Sequence, residues 1–485
     1  MQTIRLTRKT CRAQEKETPR QAASSITFRR RLTGGGGSES SPLKEWHRGN
    51  LLQIILLSGG SGQRLWPLSN DLRSKQFLKI FSGGESMLQR VLKQIRRTNE
   101  NASITIAAAE KQVPLLKKFL AEDFALSIEP CRKNTFPAIA LAAAFLHDVK
   151  KISADEKILI CPVDPFVDDN FFEQFPLLAA QISEDTPLVL MGIEPTYPSE
   201  KYGYIIPQSK ETVSRVKMFK EKPNQLDAQK FIDAGGLWNG GIFSCKLDYL
   251  LDKAEKILGT RSHDALRKNY SALPSICFDY AVVEHEKNIK VVRYVGAWKD
   301  IGTWNTLTEV LDENFIGQVQ ADATCENLHV INDSDRPIIC MGLKNSVVVA
   351  GPEGMLVSDK TASSFIKPFV EKLDNQIRFA EKSWGSFKII DAESESLTVK
   401  VTLNRGNRMK YHSHNFRDEV WNFISGTGRV IVDGAEKIVR AGDVIEIPRG
   451  VKHTVIADEP LKIIEVQRGK DITVEDKIIW QEEFN

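Results

Sequence analysis

A run of apolar residues that leads directly into a glycine-rich turn, within residues 51–79, constrains the fold of this chain more than any other feature. The run, LLQIILL, predicts a strand buried on both faces, which is typical of the centre of a parallel sheet. Gly59, Gly60 and Gly62 follow it. Because glycine lacks a Cβ atom, the backbone there can adopt positive φ angles and point its N–H groups at an anion. The segment therefore predicts an α/β domain in which a central strand leads into a loop that is able to approach a phosphate.

Two common glycine motifs do not account for this turn. No GxxxxGK[ST] sequence follows Gly59, and Arg64 and Leu65 stand where a dinucleotide fingerprint needs its third glycine. On the glycines alone, a plain structural turn and a phosphate loop are equally good interpretations. Arg64 and, further on, Lys75 would add fixed positive charge beside bound phosphates.

The longer string favours the phosphate loop. GGSGQRLWPLS followed by SKQFL resembles the signature of sugar-1-phosphate nucleotidyltransferases, and most closely that of the mannose-1-phosphate guanylyltransferases. The resemblance implies that Gly59, Gly60, Ser61 and Gly62 bind the nucleotide. It also implies that GTP and mannose 1-phosphate are the substrates, and that GDP-mannose and pyrophosphate are the products.

Composition is consistent with a soluble multidomain protein. A chain of 485 residues with 41% hydrophobic content predicts two to four domains, at about 150 residues each. The longest nearly apolar stretch, 136–146, is about half the length of a bilayer span, so no membrane segment is expected. The seven cysteines show no CxxC spacing, which predicts free thiols in a reducing compartment, and we expect a cytoplasmic location.

Charge is concentrated in the first 48 residues. They contain eleven Lys or Arg against four Asp or Glu, a net +7, while the rest of the chain carries −4 of the total +3. An RRR run, a GGGG run and few aliphatic residues predict that residues 1–48 form a disordered basic tail. We assign this tail no role, and nucleic acid is not an expected partner.

The rest of the chain divides into three parts. In residues 49–315, strand-like runs near positions 104, 160, 190 and 292 alternate with helical stretches at 113–120, 136–150 and 245–258. This pattern predicts a Rossmann-like mixed, mostly parallel sheet covered on both faces, with ligands beyond the carboxyl ends of its strands. Residues 316–375 predict a small β-rich connector, and residues 376–485, with seven short strands and glycine-marked turns, predict a small all-β sandwich or barrel.

Two aspartates are the candidate ligands of a magnesium ion. Asp164 follows an apolar strand in ILICPVDPF, and Asp300 lies in WKDIGTW. A magnesium ion that serves a nucleoside triphosphate takes one or two protein carboxylates, although a single aspartate at a strand end is more often a cap or turn former. Both segments resemble, in order, the metal-bearing segments of the transferase family, which implies magnesium on Asp164 and Asp300. Pro165 stands where the family carries histidine.

Further segments resemble the binding regions of the same family. EPCRKNTFPAIALAAAF implies that Asn134 and Thr135 approach the nucleotide base, although Arg132-Lys133 replaces the usual Gly-Arg pair. GIEPTYPSEKYGYI, KEKP and WNGGIF resemble the sugar-binding regions. They imply a sugar pocket formed by Gly203, Glu221, Lys222, Trp238 and Asn239.

The implied reaction is an in-line attack of a sugar-1-phosphate oxygen on the α-phosphorus of a nucleoside triphosphate, without a covalent intermediate. Such a reaction depends on positioning two mutually repelling phosphates and neutralising the charge that develops. Arg64 and Lys75 would hold the leaving pyrophosphate, and Lys222 would hold the attacking phosphate. The magnesium ion on the two aspartates would bridge the phosphates.

A second constellation lies near the end of the chain. His412, His414 and Glu419 are spaced H-x-H-x4-E, and His453 follows in a later segment. Alternation places the first two histidines on one face of a strand, and a hairpin can bring the other two residues alongside. This set resembles the metal-binding pattern of cupins, and zinc, iron, manganese and nickel are all compatible with it.

A transferase followed by a cupin resembles the type II mannose-6-phosphate isomerase/mannose-1-phosphate guanylyltransferase family, from about residue 51 to residue 474. The last segment, DITVEDKIIWQEEFN, lacks the arginine that the family carries there, which predicts weak or absent isomerase activity. A metal-retaining cupin that binds sugar phosphate, or that stabilises a homodimer, is the alternative role.

The leading functional hypothesis is a mannose-1-phosphate guanylyltransferase for cell-surface polysaccharide synthesis. Three alternatives stay open: a bifunctional enzyme that also isomerises mannose 6-phosphate and fructose 6-phosphate, a transferase for another sugar 1-phosphate, and an inactive sugar-nucleotide binding module. The presence of Arg64, Lys75, Asp164, Lys222 and Asp300 argues against the inactive module.

Overall fold

The structure, a computed structural model, describes residues 51–481 except positions 61, 82, 121–123, 374–376, 471 and 474–475. The predicted basic tail, residues 1–48, and Ser61 of the predicted nucleotide loop lie outside the described residues. Within the described ranges, none of the helices combines the length and the apolar character needed to cross a membrane.

A large mixed sheet organises the first half of the chain. Its strands and the short ladder beside it are β1 Gln53–Leu57, β2 Ser103–Ala109, β3 Ala125–Glu129, β4 Lys157–Pro162, β5 Pro165–Val167, β6 Leu188–Ile193, β7 Tyr204–Pro207, β8 Val213–Lys220, β9 Leu237–Lys246, β10 Ile289–Tyr294 and β11 Trp298–Asp300. Among the described residues, nine strands follow the order β3-β2-β1-β4-β9-β6-β10-β8-β7, and β5 pairs with β11. The pairs β3-β2, β2-β1, β1-β4 and β6-β10 are parallel, while β9 runs antiparallel to β4 and β6. The predicted mixed α/β class is confirmed.

Helices cover both faces of this sheet. They are α1 Met87–Thr98, α2 Val113–Phe119, α3 Thr135–Ala144, α4 Asp169–Phe172, α5 Phe175–Ala180, α6 Gln225–Asp233, α7 Leu247–Leu258, α8 His263–Lys268, α9 Phe278–Ala281 and α10 Trp304–Thr308. Ile54 and Leu56 of β1 pack into a core with α1 and α5, whereas Ile55 between them packs into a second core with α3 and α7. The first strand is therefore buried on both faces, as its unbroken apolar run predicts.

A β-rich connector follows. Its elements are β12 Phe315–Ile316, β13 Val319–Ala321, β14 His329–Asn332, β15 Ile338–Cys340, β16 Ser346–Gly351, β17 Gly354–Asp359, a 3-10 turn at Ala362–Phe365 and α11 Lys367–Val370. Val347 and Val349 of β16 share a core with Leu65 and Trp304 of the first domain. The connector is thus packed directly beneath the loop that follows β1.

The last part is built from strands: β18 Phe379–Lys382, β19 Gly385–Ala392, β20 Ser396–Leu403, β21 His412–Ser413, β22 Arg417–Ser425, β23 Thr427–Val432, β24 Ala435–Arg440, β25 Val444–Ile447, β26 His453–Ala457, β27 Leu461–Gly469 and β28 Ile478–Ile479. In the described part, they form two sheets with the orders β18-β19-β20-β27-β22-β25 and β24-β23-β26-β21-β28. Trp421 and Phe423 of β22 point into the core between the sheets, while Val420 and Ile424 are exposed. This alternation and the two sheets confirm the predicted all-β cupin domain.

Candidate active site and metal centre

The loop after β1 is shaped by one glycine. Parallel pairing sets Leu57 of β1 opposite Pro162 of β4, so the residues that follow both strands emerge at the same edge of the sheet. Gly62 adopts a φ of 69°, and a Cβ atom there would lie 2.6 Å from the backbone nitrogen of Lys75. Only glycine allows the loop to turn this closely over Lys75.

Four of the predicted catalytic side chains meet at this edge. The Lys75 Nζ atom lies 2.5 Å from Asp164 Oδ2. Asp300 is brought beside Asp164 because it pairs with Pro165 in the β5–β11 ladder. Together with the exposed Arg64, these residues line a cavity of about 270 Å³, and Gly60 and Gly62 form part of its wall.

The charges in this cavity influence one another. Burial alone would lower the pKa of Lys75, but the carboxylates of Asp164 and Asp300 raise it above its usual range. Burial raises the pKa of Asp300, Lys75 opposes that change, and the charge of Asp164 adds to it. Two mutually repelling carboxylates beside one cation are a donor set that fits a hard divalent cation with oxygen ligands.

The predicted base-proximal residues lie at the start of α3. Asn134 is exposed, and its Oδ1 accepts a hydrogen bond of 2.9 Å from the backbone N–H of Thr135. The Thr135 hydroxyl oxygen accepts one of 2.9 Å from the N–H of Phe278. Thr135 therefore joins α3 to α9, whereas Asn134 remains accessible to a ligand.

Arg132 and Lys133, which replace the usual Gly-Arg pair, both donate hydrogen bonds to other groups of the protein. The Arg132 guanidinium donates hydrogen bonds to the Asp71 carboxylate, the Asp71 carbonyl and the Ser74 hydroxyl at 2.7, 3.1 and 3.2 Å. Lys133 Nζ donates to the carbonyl of Ser271 at 2.7 Å. Arg132 therefore fixes the loop that ends at Lys75.

A second polar cluster gathers the predicted sugar-binding residues. Lys222 Nζ lies 2.6 Å from Glu221 Oε1, and the backbone N–H of Asn239 donates to the Gly203 carbonyl at 2.8 Å. A Cβ atom on Gly203 would collide with the Glu221 carboxylate. Lys222 adopts a φ of 44°, a backbone conformation that is rare outside glycine and often marks a functional position.

Asp279 belongs to this cluster, and the sequence motifs did not indicate it. Its Oδ1 accepts a hydrogen bond of 2.6 Å from Asn239 Nδ2. Burial, and then the charge of Glu221, raises the pKa of Asp279 to about 6. Asp279 lies in the short helix α9, outside every motif identified in the sequence. Only its hydrogen bond with Asn239, which the fold creates, marks it as part of this cluster.

Trp238 forms part of an aromatic wall between the two clusters. Its indole N–H donates to the Tyr204 hydroxyl at 3.0 Å, so that donor is already used within the protein. Its ring lies 5.0 Å from that of Tyr202, which lies 5.4 Å from that of Trp298. Since Trp298 and Asp300 are both in β11, this wall connects the sugar cluster with the phosphate cavity.

The cupin histidines also converge. His412 in β21 pairs directly across the sheet with His453 in β26. One ligand atom from each of His412, His414 and His453 lies within 4.8 Å of the others, and all three residues are buried. Glu419 Oε1 lies 3.1 Å from His414 Nε2, and Oε2 lies 3.4 Å from His453 Nε2.

The orientation of the rings fits a metal ion. The Nδ1 atoms of His412, His414 and His453 face the carbonyls of Lys410, Asp476 and Val451 respectively. This fixes the proton on Nδ1, so each Nε2 carries the lone pair that a metal ion would bind. The Nε2 of His414 faces the Arg417 guanidinium at 3.1 Å. The buried Nε2 of His453 has no hydrogen-bond partner in the described part of the chain.

A cavity of about 380 Å³ opens beside the histidines. Arg408, Lys410, Glu465 and Lys477 line it together with His412. Burial raises the pKa of Glu465 to about 8, and the charge of Glu419 adds to this effect. Burial lowers the pKa of Lys477 to about 8, although Glu465 and Glu419 oppose that change. Sequence motifs indicated neither Glu465 nor Lys477.

Comparisons with known proteins agree with this architecture. Residues 53–314 match the family model "Nucleotidyl transferase", and residues 371–483 match the model "Mannose-6-phosphate isomerase C-terminal". The alginate biosynthesis protein AlgA of Pseudomonas aeruginosa is 30% identical over 87% of this chain and 95% of its own length. A mannose-1-phosphate guanylyltransferase of Salmonella montevideo is 28% identical over 90% of this chain and 99% of its own length.

One solved structure extends the similarity to the fold. A mannose-1-phosphate geranyltransferase from Thermus thermophilus superposes with a TM-score of 0.57 and 26% identity, and covers 67% of this chain and 99% of its own. Fold and site together define a nucleotidyltransferase joined through a β-rich connector to a cupin domain. The chain belongs to the nucleotidyl transferase family, in the group whose members carry a mannose-6-phosphate isomerase C-terminal domain.

Proposed function

We propose that this chain is a mannose-1-phosphate guanylyltransferase, which converts GTP and mannose 1-phosphate to GDP-mannose and pyrophosphate for cell-surface polysaccharide synthesis. The observation that carries the proposal is the convergence of Arg64, Lys75, Asp164 and Asp300 in one cavity at the carboxyl edge of the sheet. The names of the Salmonella and Pseudomonas relatives support the choice of substrates and pathway. We place the reaction in the cytoplasm, where nucleoside triphosphates are supplied.

Arg64 and Lys75 bind the leaving end of the nucleotide in this proposal. The Lys75 ammonium is paired with Asp164 at 2.5 Å, and a bound triphosphate offers it a second set of anionic partners. Arg64 is exposed at the mouth of the cavity and presents a planar fork that matches phosphate oxygens. A magnesium ion held by Asp164 and Asp300 would supply further positive charge to the phosphate oxygens.

The sugar phosphate binds at the polar cluster that the aromatic wall connects with the phosphate cavity. Lys222, whose side chain is 52% exposed, leaves its pairing with Glu221 and holds the attacking phosphate. Glu221, Asn239 and Asp279 present carboxylate and amide groups to the sugar hydroxyls. The enzyme's contribution is to hold the two phosphates in line at a short distance.

The test measures pyrophosphate release by the full-length protein over a matrix of nucleotides and sugar phosphates. GTP, ATP, UTP and CTP are each combined with the 1-phosphates of mannose, glucose and a heptose. We expect the highest kcat/KM for GTP with mannose 1-phosphate. A higher value for another pair would identify a transferase for a different sugar or base. No release from any pair would leave the inactive binding module.

A second candidate function is isomerisation of mannose 6-phosphate and fructose 6-phosphate by the cupin. The cavity beside His412 favours it, because Arg408, Lys410 and Lys477 place positive charge where a sugar phosphate would need it. Lys477 comes from the closing segment, in which the family arginine is missing. A lysine supplies the charge but not the bidentate geometry of an arginine, so the expected activity is weak.

A coupled assay of the metal-loaded protein decides this second candidate. Interconversion of the two hexose 6-phosphates that is lost in both Lys477→Met and the double variant His412→Ala, His414→Ala would establish a bifunctional enzyme. No interconversion by the wild-type protein would leave the cupin with a binding or dimer-stabilising role.

A further inference from the structure

A cation from outside the transferase domain reaches the phosphate cavity. Lys367, the first residue of α11 in the connector, lines the same cavity as Arg64, Lys75, Asp164 and Asp300. Its side chain is 49% exposed, and its Nζ atom lies 3.4 Å from Glu371 Oε1, one helical turn further on. No motif of the transferase domain includes this residue, because it lies more than fifty positions beyond the domain's predicted end.

The position of Lys367 is fixed by packing. Helix α11 contacts the 3-10 turn Gln63–Leu65 that carries Arg64. Beneath that turn, Leu65 shares a buried core with Trp304 and Val349, and the Trp304 indole N–H donates to the carbonyl of Trp66 at 2.9 Å. The connector therefore holds Lys367 at the cavity wall through contacts that a bound ligand does not have to create.

The charge balance of the cavity indicates a role for Lys367 in binding phosphate. Arg64 and Lys75 are matched in number by Asp164 and Asp300, and Lys75 is already paired with Asp164. A triphosphate, with about four negative charges, needs additional cations even beside a divalent metal ion. The Lys367–Glu371 pair is half exposed, and such surface pairs are weak, so a phosphate can displace Glu371 readily.

We propose that Lys367 is a catalytic residue contributed by the connector, and that it binds the terminal phosphates of the nucleoside triphosphate. When the bond between the α-phosphorus and the bridging oxygen breaks, the electron pair stays on that oxygen, and Lys367 neutralises part of the charge that the pyrophosphate gains. Glu371 holds the lysine when no phosphate is bound. This inference rests on the proposed nucleotidyl transfer, and it makes the connector part of the active site.

Direct binding of inorganic pyrophosphate, in the presence of magnesium, tests the proposal on the full-length protein. Calorimetry compares the wild type with Lys367→Met, Lys367→Arg and the control Lys372→Met, which removes an exposed lysine from the same segment. Loss of one charge-assisted contact to phosphate predicts a Kd weaker by on the order of tenfold for Lys367→Met. We expect Lys367→Arg and Lys372→Met to stay within about threefold of the wild type.

Steady-state kinetics adds a second readout that a structural role would not reproduce. In Lys367→Met the KM for GTP should rise and kcat should fall, while the KM for mannose 1-phosphate stays near its wild-type value. Glu371→Gln, which frees the lysine, should tighten pyrophosphate binding by up to about fivefold.

The outcomes separate this inference from the proposed function. Pyrophosphate binding that depends on Lys367 supports the inference even if no guanylyl transfer is detected, because the binding test needs neither sugar nor base. Wild-type pyrophosphate affinity in Lys367→Met would overturn it. An equal loss in Lys372→Met would overturn it as well, since the effect would then reflect general charge. Weaker binding in Glu371→Gln would also overturn it, because Glu371 would then not be a partner that phosphate displaces from Lys367.

Discussion

The phosphate cavity and the cupin centre are built in opposite ways. In the cupin, His412 and His453 are direct partners across a sheet, and His412, His414, His453 and Glu419 are each at most 3% exposed. In the phosphate cavity, the charged groups come from the segments after β1 and β4, from the last residue of β11 and from the connector. Arg64 and Lys367 are exposed there.

The cupin centre is a site fixed by strand register, whereas the phosphate cavity is a site whose charged side chains can exchange one partner for another. The cupin ring nitrogens are held by the carbonyls of Lys410 and Val451, each two residues before a histidine that pairs across the sheet. In the transferase domain and the connector, Lys75, Lys222 and Lys367 are each paired with a carboxylate that we propose phosphate displaces. We therefore expect ligand binding to rearrange side chains in the transferase half and to leave the cupin half unchanged.

The largest expected effect is on catalysis in the phosphate cavity. Asp164→Asn and Asp300→Asn each remove a carboxylate charge from the cavity and should lower the rate of pyrophosphate release by on the order of 100-fold or more. Thermal unfolding should change little, because neither side chain is part of a hydrophobic core. Near-normal turnover in both variants would disprove the proposed metal ligands.

The next effect tests whether the two sites are independent. The double variant His412→Ala, His414→Ala should lose bound transition metal, with affinity lowered by at least on the order of tenfold, since even partners outside the ligand set matter by that much. Metal content after dialysis, measured by mass spectrometry, checks this. Guanylyltransferase activity should stay within about threefold of the wild type. A loss of activity that parallels the loss of metal would show that the sites are coupled.

Lys75→Ala tests which lysine of the transferase domain binds which of the two phosphates. Removing a cation that faces the leaving pyrophosphate should lower kcat by on the order of tenfold and leave the KM for mannose 1-phosphate nearly unchanged. Lys222→Ala is the matched comparison, because Lys222 is proposed to hold the attacking phosphate. It should mainly raise the KM for mannose 1-phosphate. If the two patterns are exchanged, the proposed orientation of the substrates is wrong.

The sequence predicted the parts of each site that lie close to a strand or within one motif. Gly62 and Lys75 are joined by a single close turn, and His412 and His414 share one short segment, so local pattern was enough to select them. The mixed sheet followed from the alternation of apolar runs with helices. These inferences depend on neighbours in sequence, which a pattern can represent.

The residues that the sequence did not indicate reach their sites through long-range packing. Asp279 contacts Asn239 from a four-residue helix, and Lys367 arrives from the connector because β16 packs beneath Leu65. Lys477 enters the cupin cavity from the closing segment. Trp238 was selected for the sugar pocket, but its indole N–H is already donated to Tyr204. No local pattern encodes such contacts, since they depend on which elements the fold brings together.

The smallest expected effect concerns Asp279, a half-buried transferase carboxyl that has no cationic partner at hydrogen-bond distance among the described residues. Its pKa is raised to about 6, so the folded state binds this proton more tightly than the unfolded chain. Its contribution to stability is therefore present at low pH and is lost as the pH rises through about 6.

Asp279→Asn, which keeps an oxygen for Asn239, should stabilise the protein by about 1–2 kcal/mol at pH 8. The melting temperature of Asp279→Asn should exceed that of the wild type at pH 8, and the difference should shrink towards pH 4. Asp248→Asn is the control: its carboxylate, 47% exposed, pairs with Arg261 at 2.7 Å, so its loss should not stabilise the protein at pH 8. A difference for Asp279→Asn that is constant or grows at low pH would contradict the assignment.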